Sequence, residues 1–362
     1  MKKGWDSEYL IKMKEKTEKK IILAKSKDEE DRLKEDIDVY DMLMLTLLFS
    51  DAISIEEKIS IKQFLEYIEG STFEYKLSKE DEEKICKYGL EFAKLKKIKT
   101  KFKNEHISKD ESISIVGDFI KSKFNSKHYD GFNSVFNGNY VLFDSSNDGD
   151  LAYTVSVDNE IFVRIPMTED IKMLSSIGHE AGHAFRMMNN INTIYSNYFG
   201  EYESFFYELN LLSWLIKNNI YKDEAINYFL YIFKLIEQVL YMRYLIGNYR
   251  LNEITKVNDF EIIVSKLKIK ERLNLSDNQE LFNYFITTLD MDIRSYFYSF
   301  LAVLNSMEKE NSLQIYENVV RSIDNENEEY ILRTILGGSA LDINQYTNYR
   351  NILQKRLIKT DV

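Results

Sequence analysis

Proline occurs once in the 362 residues of this chain, at Pro166, and glycine occurs only 13 times. These two residues interrupt helices and form tight turns, so their scarcity favours long helices over a β-sandwich or barrel. Hydrophobic residues make up 44% of the chain and aromatic residues 14%, which is enough apolar surface for a large folded core. We therefore predict a mainly α-helical protein.

One segment departs from the helical pattern, between Gly131 and Pro166. It holds three glycines and several Asn and Asp turn signals. Short β-rich runs predict three strands, at 140–143, 152–157 and 160–165. A helix is expected directly after them, over residues 169–188.

Charge and cysteine content limit the partners and the compartment. The net charge is −11, with 59 acidic and 48 basic residues, which argues against nucleic acid as a partner. The lone Cys86 cannot form an internal disulfide and fits a reducing compartment. No apolar run resembles a secretory signal, and the longest, at 42–49, is shorter than the ~20 residues that span a bilayer. We expect a cytoplasmic protein with no membrane partner; the oligomeric state is not indicated.

The predicted helix over 169–188 carries the pattern His-Glu-Ala-Gly-His. His179 and His183 are four positions apart, so both imidazoles project from one face and can hold one Zn²⁺ ion. Glu180 lies about 100° around the helix, where it can take a proton from zinc-bound water and pass it to a leaving amine. With only 4 histidines in the chain, chance is a poor explanation. The pattern predicts a zinc-dependent peptidase with a peptide substrate.

The glycine inside this pattern, Gly182, is unfavourable in a helix interior by about 1 kcal/mol relative to alanine. We expect it to allow another element to approach closely behind the metal.

A third ligand is needed to leave one position open for water. No histidine follows His183, so a carboxylate is expected. Glu201 and Glu208 are seven positions apart and share a helix face, whereas Glu203 lies about 200° from Glu201. The spacing predicts that one of the pair binds the metal and the other orients a histidine, without saying which. A His₂Glu set favours zinc over manganese or cobalt.

Two patterns together resemble a known family. The metal helix reads HEAGHAF, and the next helix reads E-x-x-S-x-x-x-E from Glu201 to Glu208. This resembles the thimet oligopeptidase and oligoendopeptidase F family (M3) of zinc peptidases. The resemblance implies Glu201 as the third ligand. The interval from His183 to Glu201 is shorter than is usual in the family, and that to Glu208 is close to the usual length, so Glu208 stays an alternative third ligand or a group behind the histidines.

The same resemblance implies the architecture. It implies a mainly α, zincin-type (gluzincin) fold with a small β-sheet next to the active-site helix and a cleft between two helical lobes. The chain is shorter than typical members, and residues 1–130 resemble a reduced N-terminal lobe preceding a catalytic lobe over 131–362. Within that lobe we expect a sheet at 140–166, the metal helix at 169–188, a third-ligand helix at 200–217 and then C-terminal helices.

Further segments carry the resemblance beyond the metal ligands. Ile161, Phe162 and Val163 correspond to an edge strand whose backbone can pair with a peptide substrate. Tyr296 and Tyr298 resemble phenol donors to the tetrahedral oxyanion. A histidine usual in the family near that Tyr-rich segment is absent; its equivalent position is Asp290 or Ser295.

The expected function is that of a zinc-dependent endopeptidase acting on short or unstructured peptides through Glu-assisted attack of water. The shortened N-terminal lobe and the missing histidine leave two alternatives. One is a dedicated maturation or leader peptidase for a single partner peptide. The other is a non-catalytic, peptide-binding member of the fold.

Overall fold

The structure is a computed structural model, and its description covers part of the chain. The described residues are 4, 6–49, 88, 100, 102–103, 105–145, 152–158, 160–188, 199–247, 293–307, 309–322, 331, 335, 337 and 343–360. Cys86 and Asp290 lie outside them.

Helices precede and follow a small sheet along the chain. The helices are α1 (Ser7–Ile21), α2 (Lys27–Phe49), α3 (Lys109–Lys123), α4 (Ser126–Phe136), α5 (Ile171–Met188), α6 (Tyr202–Asn218), α7 (Lys222–Gly247), α8 (Ile293–Ser306), α9 (Ser312–Ser322) and α10 (Ile343–Thr360). The strands are β1 (Val141–Asp144), β2 (Tyr153–Val157) and β3 (Glu160–Pro166). The prediction of a mainly α protein with a small sheet beside the metal helix is confirmed.

Short polar side chains set the starts of several helices. Asp6, Ser108 and Asn125 precede α1, α3 and α4, and each accepts a hydrogen bond from the backbone N–H three residues later. Asp170, which directly precedes α5, accepts from the backbone N–H two residues later, that of Lys172, at 2.9 Å. The metal helix therefore begins just after the predicted position.

The sheet corrects one prediction about the substrate strand. Its order is β1-β3-β2, with β1 parallel and β2 antiparallel to β3. β3 is thus the central strand, and the prediction that Ile161, Phe162 and Val163 form an edge strand is wrong. Phe162 and Val163 have no exposed surface. The physical reason is that β1 pairs with the other edge of β3, and nothing in the sequence identifies β1 as this parallel partner.

The chain divides into two compact units, and each is discontinuous in sequence. The first comprises Met1–Ile55, Lys101–Phe229 and Tyr298–Val362; the second comprises Glu56–Thr100 and Leu230–Phe297. The first unit contains the sheet, where α2 packs against β2, and it contains the metal helix. The predicted division at residue 130 stays a prediction. Within the described residues, no helix is both long and apolar enough to cross a membrane.

The metal helix α5 is surrounded by other elements of the first unit. It packs against α3, α4, β2 and β3, and most extensively against α6. His128 on α4 stacks on Phe185 of α5, with ring centroids 3.7 Å apart, and its Nδ1 contacts the Tyr207 hydroxyl. Burial lowers the pKa of His128 to about 4, so this histidine is a neutral part of the aromatic core at neutral pH.

Gly182 marks the closest approach between α5 and α6. A Cβ at this position would lie 2.7 Å from both the Glu203 carbonyl oxygen and the Ser204 Cα. Both neighbours are backbone atoms, so neither can rotate away. The close approach predicted from the sequence is confirmed.

We expect Gly182→Ala to destabilise the metal-free protein by about 1–3 kcal/mol, because the two helix backbones must separate to admit the methyl group. Gly178→Ala is the matched control on the same helix. Its Cβ would meet the end of the flexible Leu211 side chain, which can move, and the gain in helix propensity offsets the crowding. Urea unfolding of both variants tests this, and equal stabilities would contradict it.

Candidate metal centre

Three side chains bring their donor atoms together on the face that α5 turns toward α6. Glu201 Oε2 lies 3.3 Å from His179 Nε2 and 3.1 Å from His183 Nε2. All three donor atoms lie within 4.8 Å of one another. Donors bound to a tetrahedral zinc at ~2.0–2.1 Å are separated by ~3.3 Å, so this donor set fits a single zinc ion.

The two helices supply these donors in different ways. α5 presents the imidazoles of His179 and His183 from successive turns, with ring centroids 5.1 Å apart. Glu201 is the residue just before α6, and its side chain caps no backbone N–H group. Ser204 Oγ has one hydrogen to donate and lies 2.8 Å from Glu201 Oε2 and 3.0 Å from the Glu201 carbonyl oxygen. Its hydrogen bond to Oε2 helps to aim the carboxylate at the imidazoles.

Glu208 occupies the opposite side of His179. Its Oε2 lies 2.9 Å from His179 Nδ1, and its Oε1 accepts a hydrogen bond from Ser175 Oγ at 2.8 Å. A carboxylate on Nδ1 holds the proton there and leaves Nε2 free to bind a cation. The geometry favours Glu201 as the third ligand and Glu208 as the group that orients His179. The assignment stays a prediction.

Burial and charge oppose each other within the cluster. Burial lowers the pKa of His179, but the Glu208 and Glu201 carboxylates outweigh it and raise the pKa well above its usual value. For Glu201, burial raises the pKa, but His183 and His179 outweigh it and hold the pKa well below its usual range. The imidazole–carboxylate cluster is therefore stabilised by opposite charges, which a bound divalent cation would replace.

Glu180 lies beside the donors and is almost fully buried, with 2% of its surface exposed. Burial raises the pKa of Glu180, while the imidazoles and one hydrogen bond oppose the rise. That hydrogen bond comes from Thr154 Oγ1 on β2, which donates to Glu180 Oε2 at 2.7 Å. Thr154 could not be found from the sequence, because no local pattern signals a contact between a strand and a later helix.

The two tyrosines expected to assist the oxyanion lie on α8. Tyr298 is buried, with 2% exposed, and Tyr296 is half-buried. They are two positions apart on a helix, so their side chains point about 200° apart. One phenol at most can face a given substrate atom from this helix. Tyr296 belongs to the second unit and Tyr298 to the first, and the roles of both stay predictions.

Comparison with known proteins finds similarity at the level of the fold. No protein-family model and no curated protein matches the sequence. A crystal structure of a "putative peptidase" from Chlamydophila abortus matches with a TM-score of 0.53 and 13% identity, over 82% of this chain and 60% of that one. A "putative oligoendopeptidase F" from Bacillus anthracis str. Ames matches with a TM-score of 0.50 and 11% identity, over 92% of this chain and 64% of that one. The chain thus spans somewhat less than two thirds of either protein.

Substitutions of Glu201 and Glu208 are expected to affect metal binding differently. We expect Glu201→Gln to lower zinc affinity the most, because it removes a charged donor from the centre of the cluster. Glu208→Gln keeps the shape and removes only the charge behind His179, so a loss of roughly 10–100-fold is expected. Competition with a chromophoric chelator measures both. Unchanged zinc affinity in Glu201→Gln, with zinc binding abolished in Glu208→Gln, would mean that Glu208 is the third ligand and Glu201 is not.

Proposed function

We propose that this chain is a zinc-dependent endopeptidase that hydrolyses short or unstructured peptides. The observation that carries the proposal is the donor set of His179, His183 and Glu201, with the buried Glu180 carboxylate directly beside it. A fold similar to two proteins named as peptidases is consistent with it. The substrate class, the metal and the mechanism are all part of the proposal.

The residues divide into those that hold the ion and those that handle protons. His179, His183 and Glu201 would hold the zinc ion. When bound, zinc lowers the pKa of a coordinated water and polarises the peptide carbonyl. Glu180 accepts a proton from the attacking water and delivers it to the departing nitrogen. Thr154 Oγ1 donates to Glu180 Oε2 at 2.7 Å and would hold the carboxylate in place for this exchange.

The strand β2 is the part of the sheet best suited to hold a substrate. It is the edge strand on the Glu180 side among the described strands, because Thr154 links it to Glu180. An extended peptide would add to such an edge through backbone hydrogen bonds, which suits an unstructured substrate. This strand takes the role that the sequence analysis gave to Ile161, Phe162 and Val163.

Peptide cleavage with the substitution Glu180→Gln tests the proposal. Gln has the same shape and cannot accept the proton, so we expect cleavage to fall by roughly 10²–10⁴-fold while zinc binding is retained. The assay incubates a diverse peptide library with zinc-loaded protein and identifies products by mass spectrometry. The metal-free protein, and the same sample after zinc is restored, are the controls.

The outcomes separate the competing functions. Broad zinc-dependent turnover supports the oligopeptidase, and cleavage of only one kind of sequence favours a dedicated maturation peptidase. Tight peptide binding by the zinc-loaded protein without any cleavage would favour the non-catalytic alternative. Cleavage that persists after both chelation and Glu180→Gln would contradict a metal-dependent mechanism.

A second variant pair tests how the proton acceptor is held. We expect Thr154→Val, which has the same shape without the hydroxyl, to lower kcat by about 10–100-fold, because Glu180 loses the donor at 2.7 Å. Zinc affinity should not change, since Thr154 contacts none of the three metal donors through its described hydrogen bonds. Thr154→Ser keeps the donor and is expected to retain most of the rate. Equal kcat in the Val and Ser variants would rule out this role.

A further inference from the structure

A buried ion pair lies beside the proposed metal ligands and is not explained by their chemistry. Arg186, on the last turn of α5, is 5% exposed, and Glu203, in the first turn of α6, is not exposed at all. The two are joined by Arg186 Nη1 and Glu203 Oε2 at 3.2 Å. The same nitrogen donates to the Gly200 carbonyl oxygen at 3.1 Å.

These contacts connect the two sides of the donor set. Arg186 lies one helical turn after His183, and Gly200 directly precedes Glu201. The guanidinium therefore holds the backbone on one side of Glu201 and, through Glu203, the first turn of α6 on the other side. Because a functional site must be held to within ~0.5 Å, the peptide before the third ligand is a sensitive place for such a contact.

Burying the Arg186–Glu203 ion pair carries a high desolvation cost. Arg186 Nε and Nη2 and Glu203 Oε1 have no hydrogen-bond partner among the described residues, although all three atoms are buried. A buried ion pair with unsatisfied atoms adds little stability compared with a well-packed apolar pair. A pair that contributes little to stability, placed beside the donor set, points to a geometric role.

We propose that Arg186 is a positioning residue for the metal site, because it fixes the Gly200–Glu201 peptide and thereby sets the position of the third ligand against His179 and His183. The inference rests on the zinc site of the proposed function, but not on peptide cleavage. Arg186 itself neither binds the ion nor contacts the substrate in this role.

The test measures zinc affinity, which is independent of catalysis, by competition with a chromophoric chelator. We expect Arg186→Met to lower zinc affinity roughly 10–100-fold, as is usual when a group that supports a ligand is removed. Arg186→Lys keeps a donor and a positive charge near Gly200 and Glu203, and is expected to recover part of the loss. The unfolding midpoint of each metal-free variant is measured alongside.

A second buried arginine provides the matched control. Arg164 is 7% exposed and pairs with Asp144 within the sheet, where Nη2 and Oδ2 are 2.6 Å apart. We expect Arg164→Met to lower the unfolding midpoint while zinc affinity stays at the wild-type value. Loss of affinity in Arg186→Met alone supports positioning; wild-type affinity in Arg186→Met, with a lowered midpoint, overturns it.

Two further outcomes have definite meanings. If Arg186→Met does not fold, the double variant Arg186→Met/Glu203→Gln removes both buried charges and should show the same loss of affinity; wild-type affinity there overturns the inference. A wild-type protein that binds zinc but cleaves no peptide contradicts the proposed function, and the zinc affinities of the Arg186 variants still decide this inference. A wild-type protein that does not bind zinc overturns both.

Discussion

The close contact between the α5 and α6 backbones at Gly182 is the constraint on which the site depends. The two histidines lie on one helix, and the carboxylates that face them lie at the start of and within the other. The Glu201 carboxylate comes within 3.3 Å of both imidazole Nε2 atoms because the start of α6 packs closely against α5 beside Gly182. A residue without a side chain, placed between the histidines and opposite Glu203 and Ser204, makes that approach possible.

Two glutamates that share a helix face have different surroundings. Glu208 lies behind His179, where Ser175 and the imidazole use both of its oxygens. Glu201 lies just before the first residue of α6, where Ser204 donates to its carboxylate and the Nε2 atoms of both histidines face it. Sequence spacing identified the pair, and only the surroundings distinguish the members.

Local features were predictable from the sequence, and contacts between distant segments were not. The three strands and the metal helix follow from residue periodicity and turn chemistry, and the grouping of His179, Glu180 and His183 follows from helix geometry alone. The central position of β3 was missed because β1 is its neighbour in the sheet, although β2 lies between the two strands in the sequence. The available signal for a central strand was the almost continuous buried run of β3, which is typical of strands with parallel partners. Thr154 and Arg186 were missed because each acts across two elements.

All three donors come from one short stretch of chain, from His179 to Glu201. Bringing them together closes only a small loop, which carries a modest entropic cost even in a chain with no tertiary structure. If the proposed zinc site is correct, the denatured protein would therefore keep some affinity for the ion. Since a ligand stabilises a fold only by the difference between its affinities for the native and unfolded states, zinc should raise thermal stability by less than its native affinity alone implies.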